Sequence, residues 1–313
     1  MEDTTAPGTL GNIGAEGIAA LREDLRAWYR EHRRAFPWRE TDDPYAILVC
    51  EVMSQQTQLD RVREPWAAFL ERWPTPDDLA AASRAEVVAF WSRHRLGYNN
   101  RARYLHEAAT QLQEAFDGRF PRDPETLQEL QGVGPYTATA VASFAFDRGG
   151  PVIDTNVERV LFRAFDVPDE DGAVATAAER LAPESNIGEW NNAIMELGGL
   201  ACGPTPACDE ADCPWRDHCV AYRTGDFTAP DVPTQPPFEG SRRYFRGRVL
   251  EALRDGETLA IDELGHRVRV DYAPDGDAGR EWLRDLLEDL SGDGLVTIEE
   301  AADPAAVTVS LRE

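Results

Sequence analysis

From residue 18 to about residue 224, apolar side chains recur at intervals of three and four, with almost no alternating runs. That is the period of helices burying one face. It is plain in IAALREDLRAWYREHRRAF, PYAILVCEVM, EPWAAFLERW and LHEAATQLQEAF. Breaks fall at Pro37, near Asp77 and near Pro121, and Asp123 followed by Pro124 makes a helix start. The pattern predicts an all-α domain over 18–225. FTAPDVPTQPPFEG is Pro-rich and predicts a linker over 226–240. Beyond it, FRGRVLEALRDG, TLAIDELGHRV and GREWLRDLLEDL read as helices, and LVTIEE and AVTVSLRE as paired strands. Residues 241–313 are therefore expected to form a small α+β module resembling a winged helix. The acidic, small-residue-rich start, 1–17, reads as a disordered tail.

Composition changes the picture in two ways. The chain has 313 residues, enough for about two domains. It has no apolar run long enough to span a bilayer and no basic-then-apolar leader, so a cytoplasmic protein without a membrane partner is expected. Its formal net charge is −25, from 57 acidic residues against 32 Lys+Arg, and every one of those 32 is arginine. Acidic excess without lysine fits a halophilic protein, kept soluble in molar salt by hydrated carboxylates. Screening lengths fall to about 3 Å at 1 M, so the net charge does not exclude a polyanionic partner. The missing lysine excludes Schiff-base chemistry at a lysine and a Walker-type phosphate loop.

Four of the five cysteines, Cys202, Cys208, Cys213 and Cys219, lie in CGPTPACDEADCPWRDHC. Pro, Gly and Asp between them argue for a loop. In a cytosolic chain such a concentration reads as metal ligation rather than disulfides. Zinc and an iron–sulfur cluster are both open, and the wide C-x5-C-x4-C-x5-C spacing leans toward [4Fe–4S]. Cys50, in the apolar run AILVCEVM, reads as a core residue.

Other residues carry two readings each. The two glycines of LQGVGPYTATA, 130–140, permit a tight turn before a helix; it either cradles a phosphate or simply joins two helices. Glu51 sits in the otherwise apolar helix predicted over 45–58, where a carboxylate is either a structural ion pair or a general acid. Gln55, Gln56 and Thr57 follow it, with groups able to read base edges. Asp154 is either a helix N-cap or a functional carboxylate. Arg242, Arg243, Arg246 and Arg248 form the one basic cluster, a phosphate-facing edge or a solvated helix start.

PWRETDDPYAILVCEVMSQQTQ, LGYNNRARYLHEAA, LQGVGPYTATAV, IDTNVERVL, NNAIMELGGLAC and the four cysteines occur in this order over residues 33–219. Together they resemble the adenine DNA glycosylases of the MutY type. The resemblance implies an all-α helix–hairpin–helix glycosylase core with an iron–sulfur loop. It implies a base-excision enzyme that flips adenine, mispaired with 8-oxoguanine or guanine, out of double-stranded DNA. Glu51 would protonate the adenine, Asp154 would stabilise the oxocarbenium-like sugar, and Tyr136 and Asn156 would orient them. Position 136 is where lyase members of the superfamily carry lysine, so Tyr136 implies a monofunctional enzyme. Trp38, Arg39 and Glu196 match the adenine pocket. Gln56, Leu96 and Tyr98 match residues entering the duplex, with Thr57 beside them, and Gly132, Val133 and Gly134 match the phosphate-holding hairpin. The cysteines would hold [4Fe–4S], and a monomer is expected. DNA affinity in high salt is expected to rest on hairpin amides and stacking more than on arginine charge.

Three departures bear on specificity. The usual cysteine spacing in the family is C-x6-C-x2-C-x5-C. Thr155 replaces a common glycine, as in the endonuclease III-like branch. The C-terminal segment is too short for a MutT-like domain that reads 8-oxoguanine, and no Phe-Ser-His motif occurs in it. Thymine or uracil excision from mismatches with guanine is the alternative activity. A non-catalytic iron–sulfur DNA-binding protein is the alternative of a different class.

Overall fold

The structure is a computed structural model and describes residues 10–168, 170, 172–230 and 237–312. These form two compact units, neither of them contiguous in sequence. One draws on Met1–Leu48, Pro121–Glu129 and Val133–Pro233, the other on Val49–Phe120, Leu130–Gly132 and Thr234–Glu313.

In the first unit, helix Ile187–Leu200 packs on helices Ala15–His32, Thr155–Phe165 and Pro135–Phe146. Leu21, Leu25, Leu161, Phe165, Ile194 and Trp215 fill the space between them. Each such side chain contributes about 1.5–3 kcal/mol by leaving water. The indole N–H of Trp215 donates to the carbonyl of Leu21 at 2.9 Å, and that of Trp28 to Ala211 at 2.7 Å, tying the cysteine loop to the first helix. The expected disordered tail needs correction where it is described. Residues 1–9 lie outside the described residues, but Leu10–Asn12 form a turn of 3₁₀ helix and Ala15 begins a helix. Leu10 is buried in the core, and Arg180 donates to the carbonyl of Ile13 at 2.6 Å. A single apolar anchor outweighs the disorder-promoting composition around it.

The second unit begins with helices whose starts are encoded locally. Thr75 and Ser83 each form a capping box, with Asp78 and Glu86, at the head of Pro76–Ala81 and Arg84–Arg93. Both of these helices pack on Asn100–Phe116. Helix Arg84–Arg93 also packs on Arg242–Leu253, the first helix of the C-terminal module. That module continues with Ile261–Val268 and Arg280–Gly292, the latter burying Leu283, Leu286, Leu287 and Leu290 at helical spacing. The predicted strands are present: β2 (Val296–Glu299) pairs antiparallel with β3 (Thr308–Leu311), Val296 opposite Leu311. Leu259 and Ala260, expected to be helical, instead form β1 on the other edge of β3, giving the order β1-β3-β2. Leu259 is buried, so pairing with β3 outweighs one more turn of helix. The result is a winged-helix-like arrangement. Among the described residues no helix is long and apolar enough to cross a membrane.

Candidate active site and cysteine loop

The Gly-x-Gly turn lies between helices Pro124–Leu127 and Pro135–Phe146, which pack on each other. Asp123 caps the first, its carboxylate accepting the Thr126 N–H at 2.9 Å. Only one of the two glycines takes positive φ. Gly132 has φ +76, and a Cβ there would stand 2.5 Å from Cβ of Tyr104. Gly134 is extended, at φ −84, and a Cβ there would meet nothing within 4 Å. Val133 between them is buried, so the turn is pinned by its centre while both glycines stay exposed. Tyr136 follows in the first turn of the next helix, half-buried.

Asp154 is the N-cap of Thr155–Phe165, so the structural reading of this residue holds whatever else it does. Oδ1 accepts the backbone N–H groups of Asn156 (2.9 Å) and Val157 (2.8 Å), and Oδ2 accepts the side-chain amide of Asn156 at 2.7 Å. Both oxygens are thereby aimed from a helix N-terminus, where the macrodipole favours a negative charge. Asn156 is fixed in turn by Arg159, whose Nη2 donates to Asn156 Oδ1 at 2.7 Å and to the Gly198 carbonyl at 2.9 Å. Nε of the same arginine donates to the carbonyl of Cys202 at 2.6 Å. One helix turn on, Arg163 donates to the Gly203 carbonyl at 2.7 Å, and its Nη1 lies 3.7 Å from Sγ of Cys202.

All four predicted cysteines line one small cavity with Arg163, Trp215 and Phe227. They are free thiols in this structure. Burial, and then the neighbouring Cys202 and Cys219, push the Cys208 thiol up to about 11. Burial likewise raises Cys213 to about 12, although a backbone hydrogen bond opposes it. Thiols so grouped ionise only against a compensating cation, which is the chemistry of a metal-thiolate site. Among the described residues no three donors close on a single ion position. A zinc ion would draw four sulfurs to about 2.3 Å of one point. Four thiols around one cavity are the donor set of a metal–thiolate site.

Glu196 departs from the expectation of a pocket-lining residue. It is 0% exposed, and its oxygens accept the Arg34 backbone N–H at 2.7 Å, Arg34 Nη2 at 2.8 Å and Arg39 Nη2 at 2.7 Å. The Arg39 side chain is itself only 6% exposed. Burial would raise the Glu196 carboxyl, but the hydrogen bonds from Arg34 and Arg39 outweigh it and hold the group down at about 2. Glu196 and Arg39 are an internal ion pair whose polar groups are already engaged. Trp38, half-buried beside them in the turn Pro37–Arg39, stacks on Phe36 with ring centroids 4.8 Å apart.

The remaining predicted residues lie in the other unit. Helix Pro44–Ser54 ends earlier than expected. Ser54 Oγ bonds back to the Cys50 carbonyl at 2.8 Å, and Gln56 turns left-handed at φ 56. Glu51 is half-buried on that helix between buried Cys50 and Val52. Gln56 and Tyr98 are exposed, Tyr98 also at positive φ, and Thr57 Oγ1 reaches the Leu96 carbonyl at 3.5 Å. Leu96 is 4% exposed, its side chain part of the core in the absence of DNA. What it presents is its carbonyl, which accepts Arg101 Nη2 at 2.8 Å. Arg101 also donates to the carbonyls of Val52 (2.8 Å) and Gly97 (3.2 Å) and to that of Gln55, joining the two turns. Burial lowers Arg101 to about 10, which leaves it charged at neutral pH.

Arg101, Arg159 and Arg163 are the positioning residues that sequence reasoning missed. The available signal was arginine on an apolar helix face, four residues apart in the case of Arg159 and Arg163.

Residues 49–184 match the family model described as HhH-GPD superfamily base excision DNA repair protein. The adenine DNA glycosylase of Mycolicibacterium smegmatis is 38% identical over 293 residues, spanning 90% of this chain and 93% of that protein. A match of that length reaches into the C-terminal module. The adenine DNA glycosylase of Homo sapiens is also 38% identical, over 220 residues that span 65% of this chain and 40% of that protein. Among solved structures, a thermostable thymine-DNA glycosylase superposes with a TM-score of 0.60 at 26% identity, covering 66% of this chain and 97% of that one.

Proposed function

The chain belongs to the adenine DNA glycosylases of the helix–hairpin–helix base-excision superfamily, and we propose from its own residues how it works. It is a DNA N-glycosylase that releases adenine from DNA. Its substrate is adenine mispaired with 8-oxoguanine or guanine. The observation that carries the reading is Asp154: a carboxylate with both oxygens fixed by N–H donors at a helix N-terminus, ready to face developing positive charge.

The target base leaves the stack, because its glycosidic bond is unreachable within it. Glu51 gives a proton to the adenine, the C1′–N bond breaks with its electrons passing to the base, and water adds to C1′, its proton returning to the Glu51 carboxylate. Asp154 stabilises the oxocarbenium-like sugar between those events. Asn156 holds Asp154, and Tyr136 orients the acids and the water. With tyrosine at position 136 and no lysine in the chain, no Schiff base forms and the strand is left intact at an abasic site. Trp38 lines the adenine pocket, with Arg39 and Glu196 fixing the turn that carries it. Gly134 leaves open space for a phosphate, Gly132 shapes the approach and Val133 anchors it. Gln56, Thr57, Leu96 and Tyr98 meet the duplex.

Cys202, Cys208, Cys213 and Cys219 would hold a [4Fe–4S] cluster, which would supply metal–thiolate links that cross-tie the loop. The protein acts as a monomer in a salt-rich cytoplasm.

The test is base release from A·8-oxoG, A·G, T·G and U·G duplexes in high KCl, each with and without alkali. Alkali-dependent cleavage confined to adenine strands is expected. Release from T·G or U·G would reassign the pocket to pyrimidines, and cleavage without alkali would overturn the monofunctional reading.

A further inference from the structure

Helix Ile187–Leu200 carries an asparagine where the helical period calls for a core residue. Asn191 is 0% exposed. A buried amide is costly unless its oxygen and both its N–H groups find partners. Here all three do. Oδ1 accepts the Val152 N–H at 2.9 Å, and Nδ2 donates to Ser143 Oγ at 2.7 Å and to the Gly150 carbonyl at 3.2 Å. Ser143, on helix Pro135–Phe146, is equally buried.

The sequence lets three segments close on that amide. Gly188 lies against helix Pro135–Phe146, where a Cβ would stand 2.8 Å from the Ser143 carbonyl oxygen. Asp147, the left-handed C-cap of that helix, accepts the N–H of Asn186 at 2.8 Å and so docks the start of the other. Gly198 lies against Asn156, where a Cβ would stand 2.6 Å from the Asn156 Cβ. Positions 188, 191 and 198 share one helix face, because they are spaced by three and seven. The third segment, Gly149 to Ile153, leads into the N-cap Asp154. Among the described residues it makes no backbone–backbone hydrogen bond. It also starts at a weak joint, since Gly149 turns left-handed at φ 83 and a second glycine follows it. Asn191 holds its backbone instead.

Val152 stands two residues before the carboxylate assigned to the sugar. Ser143 stands seven residues after Tyr136, on the same helix and the same face of it. One side-chain amide therefore ties the segment that delivers Asp154 to the helix that carries Tyr136. We propose that Asn191 is a positioning residue for base release. It touches no substrate; it sets where Asp154 stands relative to Tyr136. The N-cap bonds of Asp154 orient its carboxylate on helix Thr155–Phe165, but they do not fix how the chain reaches that helix. The two-glycine joint leaves that approach free to shift, and the buried amide removes the freedom. This rests on the glycosylase reading above, in which Asp154 and Tyr136 act together.

The test is single-turnover adenine release from A·8-oxoG and A·G duplexes by the full-length protein in high KCl. The active fraction is titrated in parallel on a duplex carrying a stable abasic analogue. Asn191→Ala should lower the rate constant by about tenfold to a hundredfold, the scale of displacing a reacting group by an ångström. Its affinity for the abasic duplex should stay close to wild type. Ser143→Ala, which deletes one hydroxyl, should slow release about twofold to tenfold, the worth of one neutral hydrogen bond. The double variant should be little slower than Asn191→Ala, because both changes break the same link. Hydrogen exchange should quicken in the peptide covering residues 149–153 of Asn191→Ala. Asn192→Ala is the control and should match wild type, since that side chain donates within its own helix, to the Gly188 carbonyl at 3.1 Å. An amide that served packing alone would reduce the active fraction and leave the rate constant of the remainder unchanged. That result would overturn this proposal and spare the glycosylase reading. If Asn191→Ala does not fold, Ser143→Ala decides, and a wild-type rate there rejects the link. A wild-type protein that released no adenine would overturn the glycosylase reading and this proposal with it.

Discussion

Arg159 donates to Asn156 Oδ1 at 2.7 Å from the same guanidinium whose Nε meets the carbonyl of Cys202 at 2.6 Å. Asn156 in turn donates to Asp154. The cysteine loop and the carboxylate assigned to the sugar are therefore two hydrogen-bonded residues apart. Arg159→Gln should lower stability by about 2–4 kcal/mol, since several buried carbonyls lose a charged donor. It should also slow base release on the order of tenfold to a hundredfold, because a catalytic group displaced by an ångström loses that much. Duplex affinity should change little. Single-turnover rates set beside thermal melts decide the matter. A variant that melts earlier yet reacts at the wild-type rate would reduce Arg159 to a packing role.

Glu196 gives the fold a pH dependence. Its folded carboxyl is held down at about 2 against an ordinary 4.5, so the stabilisation is fully present above pH 4.5 and fades as pH falls toward 2. The gap corresponds to roughly 3 kcal/mol. Glu196→Gln leaves the buried Arg39 guanidinium without its counter-charge and should cost about 3–5 kcal/mol at neutral pH. Denaturant unfolding of both proteins between pH 6 and pH 2 should show their stabilities converging as the pH falls. A constant gap across that range would mean that the lost carboxylate charge is not what the variant feels.

These two residues mark the boundary of what the chain discloses by inspection. Asp123 and Asp154 were legible because a cap acts on amides two or three residues away, and the helical period carried the core in the same way. The winged-helix-like module was legible for that reason too, apart from β1, whose two residues are a strand only because β3 lies alongside. Glu196 reads as a pocket residue until Arg34 and Arg39, more than 150 positions distant in sequence, are seen to engulf it. The burial of Leu96 is hidden in the same way, since it depends on residues no local window contains. The arginine cluster at 242–248 could not be divided by inspection, because the aspartates that claim two of its members lie on another helix.

The two hairpin glycines should respond differently to the same substitution. At Gly132 a methyl group meets both a left-handed φ and the Cβ of Tyr104, which lies too close to the backbone to swing aside. Gly132→Ala should destabilise the protein by about 1–3 kcal/mol. Gly134 has an ordinary φ and open space around its Cα. Gly134→Ala should fold as wild type yet lose DNA affinity, its methyl occupying room assigned to a phosphate. Melting temperature and abasic-duplex affinity, measured on both, separate the two roles. Equal losses of stability would show that the second glycine serves the turn and not the DNA.

Asp154 must be tested by a change that spares its structural role. Asparagine keeps an oxygen that can accept the Asn156 and Val157 amides, and as an N-cap it ranks with aspartate, so Asp154→Asn should fold with little loss. The negative charge is gone, and the second position becomes an amide opposed to the Asn156 side chain. Base release should fall by about a hundredfold to a thousandfold, the scale of removing one electrostatic stabiliser from a transition state. Affinity for duplex containing an abasic analogue should stay close to wild type. Asp154→Ala, by contrast, should lose both activity and about 1 kcal/mol of helix stability. If Asp154→Asn retains a rate within tenfold of wild type, the residue is a helix cap and the sugar cation is stabilised elsewhere.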